Sequence, residues 1–203
     1  MPYWTTLLLD DPERGNRLTR ARLAKLREEL EVLEEQKDLR VLIITGAGGY
    51  FSVGADLREI GALDEETAGQ FSHEGQDVLT KLSRVAPVTI AAIDGFCLGG
   101  GLDLAMSCTL RYASRRSTFQ HPGARRGIIT GWGGTQRLPR LIGQDAALRL
   151  LILGEEIDAN AALRIGLITG IADDPLQYSV DLATRIAAGH TRDQLTVLLR
   201  ELD

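Results

Sequence analysis

Residues 91–106 read Ala91-Ala92-Ile93-Asp94-Gly95-Phe96-Cys97-Leu98-Gly99-Gly100-Gly101-Leu102-Asp103-Leu104-Ala105-Met106. The apolar run from Val88 to Ile93 that leads into it has the length and composition of a buried strand. Consecutive glycines at 99, 100 and 101 then turn the chain sharply, and the sequence from Leu102 onward opens a helix. Glycine reaches positive φ and lets a ligand approach the backbone with no Cβ in the way. The first turn of a helix adds unbonded N–H groups and the positive end of the helix dipole. A turn of this kind can hold an oxyanion. Asp103 falls in that first turn. A plainer account is also open: a tight strand-to-helix turn whose acidic residue is favoured by the dipole.

A second stretch upstream has the same pattern. Gly46-Ala47-Gly48-Gly49-Tyr50-Phe51-Ser52-Val53-Gly54-Ala55-Asp56-Leu57 follows the buried strand Val41 to Thr45 and also opens a helix. Two such loops, brought together, could each give one N–H to a single thioester oxygen.

Strands and helices alternate around these loops. Thr5 to Leu9 and Leu39 to Thr45 read as strands. Thr19 is the expected cap of a helix running to about Gln36, with Leu23, Leu26, Leu30 and Leu33 on one face. Asp64 to Arg84 predicts an exposed helix with Phe71, Val78, Leu79 and Leu82 turned inward. Beyond the glycine turn, Thr109 to Ala113 and Thr118 to Gln120 read as short strands, and Pro122 to Trp132 as a loop. Helices are expected over Thr135 to Leu141, Asp145 to Leu153, Asp158 to Ile165, Pro175 to Ala188 and Thr191 to Leu202, with a strand at Ile168 to Ala172. This alternation predicts an α/β fold with crossover connections.

The 203 residues suffice for one domain with a sizeable core, and the net charge of −5 excludes a broad nucleic-acid footprint. Cys97 and Cys108 lie in apolar surroundings and read as reduced, buried thiols. No spacing suits a zinc site, so no metal is expected. No apolar run approaches the roughly 20 residues that span a bilayer. Met1-Pro2-Tyr3-Trp4 leads straight into a strand with no basic n-region and no long apolar h-region, so a cytoplasmic protein with no membrane partner is expected. Gly46-x-Gly48 lacks the third glycine of a dinucleotide fingerprint, and no G-x-S-x-G elbow occurs.

With both loops read, the chain resembles the crotonase (enoyl-CoA hydratase/isomerase) superfamily from about Tyr3 to about Ala188. Pro12-Glu13-Arg14-Gly15-Asn16-Arg17-Leu18 is similar to that family's P-x-x-x-N-x-L pattern. Phe51 to Leu57 is similar to its F-x-x-G-A-D-[LI] loop, and Gly95 to Ala105 to its G-x-x-x-G-G-G-x-[ED]-L-A turn. Gly127 to Leu138 is similar to its G-x-x-P-G-x-G-G-T-Q-R-L segment. The resemblance implies a crotonase/Clp-like spiral of ββα units, with a core domain at 1–188. The C-terminal helix at 189–203 is shorter than the family's usual extension. It also implies a homo-oligomer, a trimer or hexamer, and an acyl-CoA substrate with no cofactor beyond coenzyme A itself. Clp-type proteases share the general fold, but no Ser stands in a matching Gly-rich turn.

By the same resemblance, the N–H groups of Val53 and Gly100 form an oxyanion hole. The Gly54-Ala55-Asp56-Leu57 backbone passes near the adenine of CoA. Arg14 and Arg17 are candidates for its phosphates, a solvated turn being the alternative for each. The departures bear on chemistry. Hydratases of the family use two glutamates; Asp103 stands at the first position and Gly123 at the second. A further Asp found in some relatives is Gly131, and the loop's usual proline is Thr130. A hydratase needs one group to activate water and another to protonate carbon. His121 is a candidate acid/base group or a structural residue. Trp132, with Gly123 and Gly131, is a candidate wall of an acyl pocket, or simply packing. The expected function is an acyl-CoA enzyme that stabilises a thioester enolate without efficient two-carboxylate hydration. Hydratase, isomerase, hydrolase and decarboxylase chemistry stay open. The alternatives are a catalytically degenerate acyl-CoA-binding subunit and a purely structural assembly partner.

Overall fold

The computed structural model describes residues 3–202. Met1, Pro2 and Asp203, which belong to the expected domain limits, lie outside the described residues. In chain order the elements are β1 (Trp4–Leu9), α1 (Arg20–Glu34), β2 (Val41–Gly46), β3 (Tyr50–Ser52), α2 (Leu57–Gly61) and α3 (Glu65–Val85). Next come β4 (Val88–Ile93), β5 (Phe96–Leu98), α4 (Gly100–Met106), β6 (Leu110–Ala113) and β7 (Thr118–Gln120). They are followed by α5 (Gly134–Ile142), α6 (Gln144–Ile152), β8 (Ile157–Asp158), α7 (Ala159–Arg164), β9 (Gly170–Ile171), α8 (Pro175–Gly189) and α9 (Arg192–Arg200).

The larger sheet has the order β1-β2-β4-β6-β9, all parallel. The smaller one has the order β3-β5-β7-β8, parallel except for the last pair. Each of β2, β4 and β6 is followed at once by a short strand of the second sheet. This repeated pair of strands leading into a helix is the expected spiral of ββα units.

β2 and β4 are apolar on both faces because both faces are covered, as in parallel sheets generally. Side chains alternate across a strand. Leu42 and Ile44 therefore pack toward α1 and α3, in a core with Leu26, Leu30, Leu79 and Leu82. Val41 and Ile43 pack the other way, with Val88, Ile90, Ala183 of α8 and Leu195 of α9. Arg192 ties α9 to the same body by donating to Leu39 O at 2.8 Å.

The sequence reading missed β3 and β5. Each is three residues long and sits inside a glycine-rich stretch, where local propensity reads as turn. Pairing across the smaller sheet, Cys97 beside Phe119 and Leu98 beside Gln120, makes them strands. α4 begins at Gly100 rather than Leu102, and Pro122–Arg126 is a single 3-10 turn rather than open loop. Among the described residues no helix is long and apolar enough to cross a membrane.

Candidate active site

The first glycine loop is clamped by the segment at 11–18. Val53 N–H donates to Gly15 O at 2.9 Å, Ser52 Oγ to Asn16 O at 2.8 Å, and Leu18 N–H to Gly54 O at 2.9 Å. Asn16 adopts φ 52°, a conformation Asn tolerates better than most side chains. Its amide donates to Ala47 O at 3.0 Å and Tyr50 O at 2.6 Å, and its Oδ1 accepts from Asp11 N–H at 2.8 Å. The second loop is anchored where Gly99 N–H donates to Gln120 O at 2.8 Å.

The two loops touch. Gly54 has φ 86°, and a Cβ on it would lie 2.6 Å from Gly100 N and 2.7 Å from Leu98 O. Only glycine fits there. A Cβ on Gly100 would stand 3.4 Å from Ala55 N. This corrects one expectation. The Val53 N–H is tied to Gly15 O and is not free to hold an oxyanion, because that bond is part of the clamp that shapes the loop. The Ala55 and Gly100 N–H groups meet no acceptor among the described residues, and both residues line the same cavity. Gly100 is the first residue of α4, where N–H groups lack an intrahelical partner.

That cavity has a volume of about 260 Å³ and is mostly apolar. Asp103 and His121 project into it, both almost fully buried. Asp103 Oδ2 accepts a hydrogen bond from Thr130 Oγ1. Its Oδ1 lies 3.7 Å from His121 Nε2, and neither of these two atoms has a hydrogen-bond partner. Burial pushes the Asp103 carboxyl up to about 7, against the opposing pull of Thr130 and the Arg137 charge. Burial pushes the His121 imidazole down to about 4. Near neutral pH the pair is therefore a half-titrated carboxyl beside a neutral imidazole, not an ion pair.

Residues 5–199 match the sequence model of the enoyl-CoA hydratase/isomerase family. The chain belongs to this family. It is 33% identical to an enoyl-CoA hydratase from Bacillus anthracis, with a TM-score of 0.87 over 93% of this chain and 74% of that one. It is 32% identical to the DspI protein of Pseudomonas aeruginosa, with a TM-score of 0.90 over 97% of this chain and 81% of that one. An enoyl-CoA hydratase from Thermoplasma volcanium gives a TM-score of 0.92 at 28% identity, over 98% of this chain and 79% of that one.

Set in the frame of an enoyl-CoA hydratase/isomerase, the other expected site residues fall into two groups. Gly123, Gly131 and Trp132 line the cavity, as do Ala55 and Leu57. Gly54 and Asp56 do not face it. Asp56 caps α2 by accepting from Arg58 N–H and pairs with Arg17 at 2.7 Å, so the Arg17 cation is already partnered. Arg14 is exposed at the end of the 3-10 turn Pro12–Arg14. Sequence reasoning missed two groups that the structure places at the cavity. The first is Thr130, whose only signal was its place where relatives carry proline, a residue with no side-chain donor. The second is the Ala55 N–H, a backbone donor that leaves no mark in a sequence.

Proposed function

We propose that the protein binds an acyl-CoA and moves a proton at the carbons next to its thioester, shifting a double bond rather than adding water. The observation that carries this reading is Asp103. It is a single buried carboxyl, with a pKa raised to about 7, in a cavity edged by two unbonded N–H groups. The Ala55 and Gly100 N–H groups would donate hydrogen bonds to the thioester oxygen. With a 3-enoyl thioester, the Asp103 carboxylate takes a proton from the α-carbon. The C–H electron pair moves into the carbon chain and the oxygen becomes an enolate, stabilised by the two N–H donors. The protonated Asp103 then returns the proton to the γ-carbon, which gives the 2-enoyl isomer. One carboxyl near its pKa serves both steps. Hydration would need a second acid/base group; Gly123 and Gly131 have none, and burial, which pushes the His121 imidazole down to about 4, leaves it a weak base.

The test follows the double-bond shift of a 3-enoyl-CoA, with exchange of α-hydrogens in deuterated water and crotonyl-CoA hydration run in parallel. Isomerisation and exchange that vanish in Asp103→Asn, with slow hydration, support the reading. Rapid hydration overturns it. Tight binding with no exchange would instead favour the binding-subunit alternative.

We also infer self-association, as a trimer or hexamer. Its support is the exposed apolar set Ile129, Ile152 and Leu153 beside cavity-lining residues. A monomer at micromolar concentration in light scattering would end this inference.

A further inference from the structure

We propose that Thr130 is a positioning residue: its hydroxyl pins Oδ2 of Asp103 and leaves Oδ1 as the oxygen that takes and returns the substrate proton. The proposal rests on the reading that Asp103 is the base of an acyl-CoA enzyme. The torsion that sets the plane of an aspartate carboxyl is broad and roughly two-fold, so the backbone does not choose between the two oxygens. Hydrogen bonding does. Thr130 Oγ1 donates to Oδ2. Oδ1 is buried and unpartnered, and His121 Nε2 at 3.7 Å is too far away to bond it.

That asymmetry suits a group that changes protonation twice in each turnover. A carboxyl protonated on Oδ1 keeps an acceptor on Oδ2, so the Thr130 bond persists in both states. A proton on Oδ2 would instead force the hydroxyl to turn round. In the first step the α-carbon C–H bond breaks, its proton forms an O–H bond at Oδ1, and the electron pair passes to the enolate. Return of that proton to the γ-carbon restores the carboxylate, with the Thr130 bond unbroken throughout. Groups set in place beforehand need no reorganisation during the reaction.

The surroundings hold Thr130 to this task. Gly131 O accepts from Gln76 Nε2 at 2.6 Å and Trp132 O from Arg137 Nη1 at 2.8 Å, so the two residues after Thr130 are tied to α3 and α5. Gly134, the first residue of α5, leaves room for the pair: a Cβ there would run into Asp103 Oδ1 and lie 2.6 Å from Thr130 Cγ2. The ionisable groups that face the carboxyl are His121 after β7, Cys97 of β5 and Arg137 of α5. Burial keeps the imidazole and the thiol neutral near neutral pH, and Arg137 acts only through its charge. Among the described residues, Thr130 alone donates a hydrogen bond to the carboxyl.

The test compares the wild type with Thr130→Val, which keeps the branched shape without the hydroxyl, and with Thr130→Ser, which keeps the hydroxyl. NMR titration of isotope-labelled aspartate carboxyls follows Asp103 directly. Thr130→Val should raise its midpoint by at least about one pH unit, because a hydrogen bond to the charged form is lost. For isomerisation of 3-hexenoyl-CoA, the rising limb of the pH profile should move by the same amount. On the plateau kcat should fall about 10–10²-fold with KM altered less than about twofold. Thr130→Ser should restore the midpoint and most of the rate, which a purely packing role for the threonine methyl would not. An unmoved midpoint or unchanged kcat in folded Thr130→Val, or a Thr130→Ser no better than Thr130→Val, would overturn the proposal and leave the acyl-CoA reading intact. Should Thr130→Val not fold, the wild type decides: a Thr130 hydroxyl proton protected from exchange on both sides of the Asp103 midpoint is expected, and one that exchanges freely overturns the proposal. No binding of butyryl-CoA in calorimetry and no turnover of 3-hexenoyl-CoA would remove the underlying reading and the proposal together.

Discussion

Asp103 Oδ1 and His121 Nε2 face each other across 3.7 Å inside the cavity, each without a hydrogen-bond partner. Their protons compensate. Burial raises Asp103 from 3.8 to about 7, so the folded state keeps a proton that the unfolded chain gives up, and stability falls as pH rises through that window. Burial lowers His121 from 6.5 to about 4, so the unfolded chain takes up a proton that the folded state refuses, and stability falls as pH drops through that window. Between about pH 4 and 6.5 each state holds one proton on the pair, and the two slopes cancel. His121→Asn should expose the Asp103 slope, with stability decreasing as pH rises from 4.5 to 6.5. Asp103→Asn should show the reverse. Each slope is at most about 1.4 kcal/mol per pH unit for one proton. Urea unfolding at several pH values measures it; parallel profiles for all three proteins would show that the pair carries no such linkage.

Activity should follow the other consequence of the same titration. If the Asp103 carboxylate is the base, kcat/KM for proton transfer rises with pH and levels off above about 7. Asp103→Asn should lose about 10²–10⁴ of the rate. His121→Asn should keep the rising limb, because the imidazole is already neutral across that range. A limb that disappears with His121 instead would reassign the base.

The choice of Ala55 over Val53 as oxyanion donor can be read directly from amide NMR. Adding a non-reactive acyl-CoA analogue should move the Ala55 and Gly100 amide protons downfield and slow their exchange. The Val53 amide, bonded to Gly15 O at 2.9 Å, should stay put. A shift at Val53 with none at Ala55 would restore the sequence-based assignment.

Much of the architecture was legible because it follows from side-chain pattern. The apolar runs at Val41 to Thr45 and Val88 to Ile93 have no polar face, which only a covered parallel sheet accommodates. Thr19, Asp64 and Asp158 each cap a helix as their residue type predicts, accepting from Arg22, Thr67 and Ala161 N–H. The three-residue strands β3 and β5 were not legible, since their strand character comes from partners far along the chain. The site divides the same way. Side chains announced themselves: Asp103, His121, Trp132 and the empty positions 123 and 131. The backbone donor did not, because which N–H is free depends on which carbonyl lies opposite, here Gly15 O rather than a ligand.

Asn16 should matter more for the site than its distance from the chemistry implies. Its side chain joins Asp11, Ala47 and Tyr50, and its carbonyl accepts from Ser52 Oγ, so it fixes the loop that presents Ala55. Asn16→Ala leaves those carbonyls unpartnered and keeps a strained positive φ, at a cost of about 1–3 kcal/mol. Thermal unfolding gives the stability loss. Acyl-CoA binding should weaken in the folded fraction as well; unaltered binding would show that the loop holds its shape without the clamp.

Gly123→Glu asks whether hydration can be restored at the position where the family's second carboxylate would stand. A Cβ at Gly123 would lie 3.0 Å from Ile128 O and 3.2 Å from Ile128 Cβ. The loop is held in that position by Ile128 N–H donating to Gly123 O at 2.9 Å. The segment is therefore drawn in against position 123, and a side chain there must push Ile128 back. Overpacking of this kind costs about 1–3 kcal/mol. The new carboxylate would also face Asp103, one methylene shorter than the glutamate it stands for, and misplacement of about 1 Å can cost ~10²-fold. Crotonyl-CoA hydration in Gly123→Glu should thus rise by far less than the ~10²–10⁴ that a well-placed acid/base group contributes, while the melting temperature falls. Efficient hydration by this single variant would show that Ile128 yields freely and that the glycine alone had kept water addition out of reach.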